Sequence, residues 1–420
     1  MFGNNDVRKE EILNMNILTL TSTYPEPDDN GRVVTPTVKY FCEQWSKAGN
    51  RVIVIHSNSC FPMFFYAIPQ KIRMKLESKM GHTFPTKASR KPLVYEKDGI
   101  KVYRLPMTKC IPHGKFSDKR IKKQVCKIKT ALEKDDFKPD IIVSHWVNPQ
   151  VDLCIGLKEI YKVGTSLVFH NDCSETNISK FDLLNKIKLF NAVGCRNESY
   201  ADYVMKKLRL QTRPFICYSG VPDSIAEKQK EIVNNIDFPA SLDFIYVGRL
   251  VKYKNVDTVI KALNIKYRND NYKLHIVGDG AEKENLQNLA KKLGCESKVI
   301  FYGQQPRDKV FEMMKQSYAF IMVSNNETFG MVYIEAMLAG CITIASKNGG
   351  VDGVIIDGEN GYLSRQGDVE DLVKTLDRIE RNINIISLRK KAIHTAYEYR
   401  DSKIAKRYLD DIIKWEDGDV

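Results

Sequence analysis

Two glutamates with seven residues between them, Glu327 and Glu335, bracket the segment Thr328-Phe329-Gly330-Met331-Val332. Carboxylates accept hydrogen bonds and repel phosphate, so the pair suits sugar or ribose hydroxyls. A phosphate beside them must be met by something else. The helix expected to start near Met331 points unpaired N–H groups and the positive end of its dipole at the same place, and Gly330 lets the turn approach a ligand closely. Taken alone, the glutamates also fit an ordinary strand–helix–strand unit with solvated carboxylates. A second group is Gly248-Arg249-Leu250-Val251-Lys252-Tyr253-Lys254. Arg249 as a planar fork and Lys254 as a point charge can neutralise a diphosphate leaving group. Lys252 reads as solvated. Two histidines, His145 and His170, the latter followed by Asp172, close apolar strand-like runs, and Arg196 closes another.

The elements that must position these groups follow from the apolar pattern. Short apolar runs read as buried parallel strands: Asn16 to Ser22, Arg51–His56, Ile141 to Ser144, Ser166–Phe169, Ala192–Cys195, Leu242–Val247, Lys273–Val277, Val299–Tyr302, Ala319–Val323 and Cys341–Ala345. Amphipathic helices are expected between them, including a basic one around Lys119 to Leu132, one capped by Asn197 and running to about Leu208, and a last one near Lys403 to Trp415. The fold class is therefore α/β. Loops at the carboxyl ends of such strands line ligand crevices, which is where the two histidines, Arg196, Arg249, Lys254 and Glu327 fall, and where the loop Tyr24 to Val34 is expected. Gly278-Asp279-Gly280 fails as a dinucleotide fingerprint, because Lys283 stands where the third glycine belongs.

Joined to Thr-Phe-Gly after the first glutamate and Ala-Met-Leu-Ala-Gly340 after the second, the pattern resembles the family 4 retaining glycosyltransferases of the GT-B fold, the glycosyl transferases group 1. The resemblance implies two Rossmann-like domains with parallel sheets facing across a cleft. Residues 1–220 would bind acceptor, 221–240 would link, 241–400 would bind nucleotide sugar, and a helix in 401–420 would cross back to the first domain. It implies that Glu327 holds the donor sugar and that Thr328, Phe329, Gly330, Met331 and Val332 surround sugar and diphosphate, partly through backbone groups. Glu335 would take the ribose, Gly248, Arg249 and Lys254 the diphosphate, and Gly278, Asp279 and Gly280 the nucleotide pocket. His170 matches the histidine that family members place beside the donor sugar. The acceptor side would hold Gly31, His145 and Asp172, with His145 open between a site role and a structural one, and Arg196, at a strand end where the family more often has a serine nearby, could meet an acceptor or phosphate group. Asn255 stands where the family usually has glycine, and Asn30-Gly31 is the nearest match to its glycine pair. The implied reaction is sugar transfer with retention by same-face attack, the leaving phosphate taking the acceptor proton. The implied setting is bacterial surface-polysaccharide synthesis with a glycan or lipid-linked acceptor. No cofactor or metal is expected beyond the UDP- or GDP-linked co-substrate, and Asp417-Gly418-Asp419, though similar to a metal-binding Asp-x-Asp, stands at the far end of the chain.

Composition narrows the partners. At 420 residues, 43% apolar and 28% charged, the chain has room for two cores and reads as soluble. Its first residues show no secretory pattern and no run is long enough to span a bilayer, so a cytoplasmic place is expected, with the inner membrane face as a docking surface. Ten scattered cysteines without Cys-x-x-Cys read as reduced thiols. From Lys71 to Thr130, 18 Lys and Arg face four acidic residues, against a net +13 for the whole chain. That localised excess points to an anionic membrane surface, with Phe61, Phe64, Phe65 and Tyr66 beside Lys71, Arg73, Lys75 and Lys79 forming a lid, an interface element, or merely a packed helix with a solvated basic side. A nucleotide-sugar epimerase or phosphorylase of the same fold is the alternative. A non-catalytic nucleic-acid binder is a remote one, since it leaves the donor constellation unexplained, and no nucleic acid is expected as partner.

Overall fold

The computed structural model describes residues 14–25, 27, 36–62, 67–69, 72, 91–109, 114–233, 241–325 and 327–414. Among them, one sheet is built from β1 (Asn16–Thr21), β2 (Arg51–His56), β4 (Leu93–Lys97), β5 (Ile100–Arg104), β7 (Ile141–His145), β8 (Gly164–Phe169), β9 (Ala192–Cys195) and β10 (Phe215–Ile216). Their order is β10-β9-β8-β7-β1-β2-β5-β4, parallel except for the antiparallel β4–β5 pair, while β3 (Ser59–Cys60) and β6 (Met107–Thr108) pair separately. The second sheet contains β11 (Leu242–Val247), β12 (Tyr272–Val277), β13 (Val299–Gly303), β14 (Ala319–Met322), β15 (Ile342–Ser346) and β16 (Tyr362–Ser364), all parallel, in the order β13-β12-β11-β14-β15-β16. Strands such as β1, β7 and β15 are buried on successive residues without alternation, as expected of parallel strands covered on both faces, and their few polar residues, such as Thr19, Ser144 and Thr343, are buried with the rest.

In each sheet the strand order reverses beside its first strand: β1 lies between β7 and β2, and β11 between β12 and β14. The loops that leave such a reversal diverge and open a crevice at the carboxyl ends. Pairing of Leu20 with Ser144, His145 with Val168 and Phe169 with Cys195 keeps those ends level, so His170 and Arg196 emerge at one height. The carboxyl-end loops of the two sheets touch, which gives the facing two-domain architecture that the sequence resemblance implies.

The chain crosses between the halves twice, side by side. Val221 N–H donates to Tyr399 C=O (2.9 Å) and Asp401 N–H to Val221 C=O (2.8 Å). Gly220 fits there because a Cβ would stand 2.4 Å from Asp401 Oδ1. Beyond the first crossing, part of the expected linker is helical, Asp223–Ile232. Beyond the second, the helix Asp401–Lys414 returns to the first sheet and packs on the helix Thr37–Lys47. That helix buries Val38, Phe41, Cys42 and Trp45, one stripe at helical spacing, and Trp45 Nε1 donates to Ala405 C=O (2.9 Å). Among the described residues no helix is long and apolar enough to cross a membrane, and eight of the nine described cysteines are buried.

Candidate active site

The second sheet's reversal brings together the loops after β11 and β14. Lys254, on a short 3-10 turn, pairs its ammonium with the Glu327 carboxylate, and their side chains are only 12% and 13% exposed. Asn255, which holds the left-handed φ of 52°, donates from Nδ2 to Val323 C=O (2.8 Å) and to Asn325 Oδ1 (3.0 Å). Asparagine tolerates that backbone where other side chains are strained, and its amide laces the two loops, which a glycine cannot do. Arg249 is exposed, with one guanidinium N–H donated to the Tyr253 hydroxyl (2.8 Å). Lys252 is exposed as expected.

Gly330 sits at φ 79° before the helix Met331–Leu338, and a Cβ there would lie 2.7 Å from the Tyr333 ring, whose hydroxyl donates to Met322 C=O (2.8 Å). The turn and Tyr333 therefore demand glycine on their own account, in addition to any ligand. Met331 and Val332 are half-buried at the helix start. Glu335, one turn along, is ion-paired with Arg307 (Nε to Oε1 2.7 Å, Nη2 to Oε1 2.6 Å), and Arg307 Nη1 donates to the Tyr40 hydroxyl of the first half (3.0 Å). Burial pushes the Glu335 carboxyl up, and Arg307 pulls it back. The sequence reading missed Arg307: it lies 28 residues before Glu335 and nothing local marks it.

Gly278 and Gly280 have an internal reason to be glycine. A Cβ on Gly278 would stand 1.9 Å from Gly248 C=O, and one on Gly280 2.3 Å from Leu250 C=O, so this turn is glycine-rich to lie against the Gly248–Leu250 backbone. Asp279 is exposed, accepts from its neighbour Gly280 N–H (2.8 Å) and faces Lys283 at 3.5 Å.

Across the cleft, His145 is fully buried (0% exposed): Nδ1 bonds His170 Nε2 (3.0 Å) and Nε2 bonds the Tyr408 hydroxyl (3.3 Å). This corrects the acceptor-side reading of His145, which supports His170 from behind. Burial drives the His145 imidazolium down to about 3 and that of His170 well below its usual range, with Arg196 adding to both shifts. His170 stacks on Trp146 at 4.1 Å between ring centres. Asp172 spends its carboxylate on Val147 N–H (2.6 Å) and His170 N–H (2.9 Å), stapling the loops after β7 and β8, and burial raises it to about 6. Those two bonds give Asp172 a part in holding the site's shape. Arg196 is 2% exposed, with its guanidinium on the Cys217 thiol (3.4 Å) and the Ser219 hydroxyl. Gly31 lies outside the described residues, as do Val34, Phe64, Phe65, Tyr66 and the basic residues Lys71, Arg73, Lys75 and Lys79. The loop's described start packs on its own half: Tyr24 is buried and Pro25 C=O accepts from the Tyr95 hydroxyl (2.8 Å). Phe61 is buried as well, beneath Lys109, and offers no surface for membrane contact.

The two halves meet at the segment after Glu327. Asn171 Nδ2 donates to Thr328 Oγ1 (3.0 Å) and Asn197 Nδ2 to Thr328 C=O (2.7 Å). Phe329 is buried with its ring 5.8 Å from the Arg196 guanidinium and 5.7 Å from Tyr218. Its carbonyl rests against Gly350, where a Cβ would lie 2.4 Å away. Thr328 and Phe329 thus bind the first half together with the second. Among the described residues no three His, Cys, Asp or Glu side chains gather as a metal site.

The family model described as glycosyl transferases group 1 matches residues 228–399. An uncharacterized glycosyltransferase of Methanocaldococcus jannaschii is 31% identical over 260 residues, covering 60% of this chain and 67% of that protein. The chain belongs to the glycosyl transferases group 1 family. The lipopolysaccharide core biosynthesis glycosyltransferase LpsE of Rhizobium meliloti is 28% identical over 243 residues, 58% of this chain and 66% of that one. Across the first curated relatives, the chain spans between 38% and 67% of their length. Among solved structures, Anabaena HepE in complex with UDP and glucose superposes with a TM-score of 0.63 at 18% identity, over 95% of this chain and all of that one, which establishes the GT-B fold. The group 1 match takes in Arg249, Lys254, Glu327 and Glu335, and stops before the helix Asp401–Lys414.

Proposed function

We propose that this chain transfers a sugar from a UDP- or GDP-linked donor to a glycan or lipid-linked acceptor, with retention of configuration. The observation that carries the reading is the bond between Asn171 and Thr328 (3.0 Å), which sets the residue after His170 against the residue after Glu327. A donor sugar held by Glu327 then lies between the first half's histidine and the second half's cations. Bond cleavage at the anomeric carbon puts negative charge on the diphosphate, and Arg249, Lys254 and the helix terminus at Met331 are fixed donors for that charge, so no divalent ion is required. His170, kept neutral by burial, serves as a hydrogen-bonding group beside the sugar and adds no repelling cation. Acceptor attack on the face the diphosphate leaves lets a leaving oxygen take the acceptor proton, which gives retention without an enzyme nucleophile. Glu335 takes the ribose hydroxyls, sharing them with Arg307.

The name of the Rhizobium relative supports an acceptor in cell-surface glycan synthesis, and the HepE complex supports a uridine donor. The helix Asp118–Lys134 turns Lys119, Lys122, Lys123, Lys127 and Lys129 to solvent, a basic face suited to docking on the anionic inner leaflet where a lipid-linked acceptor waits. A panel of UDP- and GDP-sugars is the test, with nucleotide release measured in EDTA and the product anomer read by NMR. Release in EDTA with a retained anomer is expected. An inverted product, or turnover only with added Mn or Mg, contradicts the reading, and conversion of donor alone or with phosphate alone selects an epimerase or phosphorylase.

A further inference from the structure

Arg196 is the residue whose surroundings least match its charge. A guanidinium keeps its charge permanently, and burying one without a counter-charge is costly. At 2% exposure it meets only the Ser219 hydroxyl, the Cys217 thiol at 3.4 Å and the face of Phe329 at 5.8 Å, and no carboxylate pairs with it among the described residues. The thiol and imidazoles beside it are neutral: burial raises the Cys217 thiol to about 11, and His145 and His170 stay unprotonated, while Asp411 acts on Cys217 without an ion pair to the guanidinium.

A second positive feature converges on the same place. Ser219 Oγ, which holds the Arg196 guanidinium, is 3.3 Å from Thr37 Oγ1, and Thr37 is the first residue of the 11-residue helix Thr37–Lys47. That helix has no acidic residue in its first turn and no side-chain cap on its N-terminus. Its dipole therefore adds positive potential to a buried permanent cation, and among the described residues no carboxylate pairs with either.

We infer that Arg196 and the start of the helix Thr37–Lys47 form an oxyanion subsite, for a phosphate or carboxylate, on the first half's side of the cleft. The inference deepens the proposed transfer reaction and rests on it for the ligand's identity: the anion belongs either to the acceptor or to the donor diphosphate. It is separate from the Arg249 and Lys254 grip, which belongs to the other sheet. Planar guanidinium geometry suits two-point binding of such a group, and Phe329 shields the site from water so that the charge is felt strongly.

The experiment titrates inorganic phosphate into the full chain alone, and into the chain saturated with UDP or GDP, by calorimetry, with Arg196→Met and Arg196→Lys beside the parent. Loss of the guanidinium is expected to weaken phosphate binding about tenfold or more, with the lysine variant between. Phosphate that still binds at saturating nucleotide, and is lost in Arg196→Met, supports an acceptor anion. Phosphate that competes with nucleotide, together with weaker nucleotide binding by Arg196→Met, supports the diphosphate. Equal affinities of parent and Arg196→Met for phosphate and nucleotide overturn the subsite, as does a parent that binds phosphate in neither state. Should Arg196→Met not fold, phosphate-dependent rise in the melting temperature is compared between the parent and Arg196→Lys, and an equal rise overturns it. If neither nucleotide binds the parent, the transfer reading fails while the phosphate titration into the chain alone still decides the subsite.

Discussion

Replacing Glu327 by Gln should tighten nucleotide binding while slowing sugar transfer. The Lys254 ammonium lies on the Glu327 carboxylate at a site where both side chains are nearly covered, so a diphosphate arriving on the far side of Lys254 must share it. Two unit charges about 6 Å apart at an effective dielectric of roughly 20 repel by about 3 kcal/mol. Counter-ions and the remaining solvent contact lower that to about 1–2 kcal/mol, equivalent to a roughly five- to thirtyfold gain in UDP or GDP affinity when the charge is removed. Glutamine keeps the shape and can still bond a hydroxyl, but loses the charge-assisted part, so turnover should fall by about ten- to a hundredfold. Calorimetric titration of the nucleotide, alongside initial rates with the donor found by screening, reads both quantities on one preparation. Weaker nucleotide binding in Glu327→Gln, or parental turnover, refutes the assignment of Lys254 to the diphosphate and Glu327 to the sugar. Lys254→Ala supplies the opposite sign: it should lose nucleotide affinity.

The buried histidines make stability fall with acid. His145 binds its proton at about 6.5 when unfolded and near 3 when folded, so its contribution is present above pH 6.5 and is lost as pH falls through that window. At pH 5 the loss is about 2 kcal/mol, and urea denaturation at pH 7.5 and 5 should show His145→Gln losing that much less than the parent; identical losses would contradict the burial argument. The exposed lysines of the helix Asp118–Lys134 should bind anionic vesicles, and sedimentation should fall with salt and with Lys122→Gln, Lys123→Gln and Lys127→Gln together, leaving nucleotide affinity unchanged. Equal recovery with neutral vesicles, or an unchanged triple variant, argues against docking.

The architecture was readable because apolar runs such as Ile141 to Val143 are too short for helices and fit strands buried on both faces, and their alternation with amphipathic helices leaves little choice of topology. The placement of Arg249, Lys254 and Glu327 at one crevice was readable because they follow strands β11 and β14, and the reversal of strand order falls between those two. What escaped was pairing at a distance. Arg307 meets Glu335 and Tyr40 only after two sheets have folded and docked, so no local pattern announces it. His145 and His170 look alike as strand-ending histidines, yet the helix from Asp401 buries one behind the other through Tyr408. Gly278 and Gly280 are legible as a special turn, but the Gly248 and Leu250 backbone that excludes a Cβ there is not, because sequence does not show which atom does the excluding. The helix Asp223–Ile232 was hidden by its polar composition, which resembles a linker when its packing surface is unseen.

The returning helix Asp401–Lys414 also sets a schedule for biosynthesis. Phe41 and Trp45 leave the ribosome before the second sheet is made, and their cover, Ala405 and Tyr408, leaves after it. The whole second sheet is made in between, so it can complete its core while the first still exposes an aromatic stripe. For that interval the nascent chain is a folded carboxyl half tethered to an unfinished amino half, and collapse of the unfinished half on other chains is the hazard. Stalling translation or truncating the gene before Asp401 should therefore leave the later-made half sound and send the earlier-made half to chaperones.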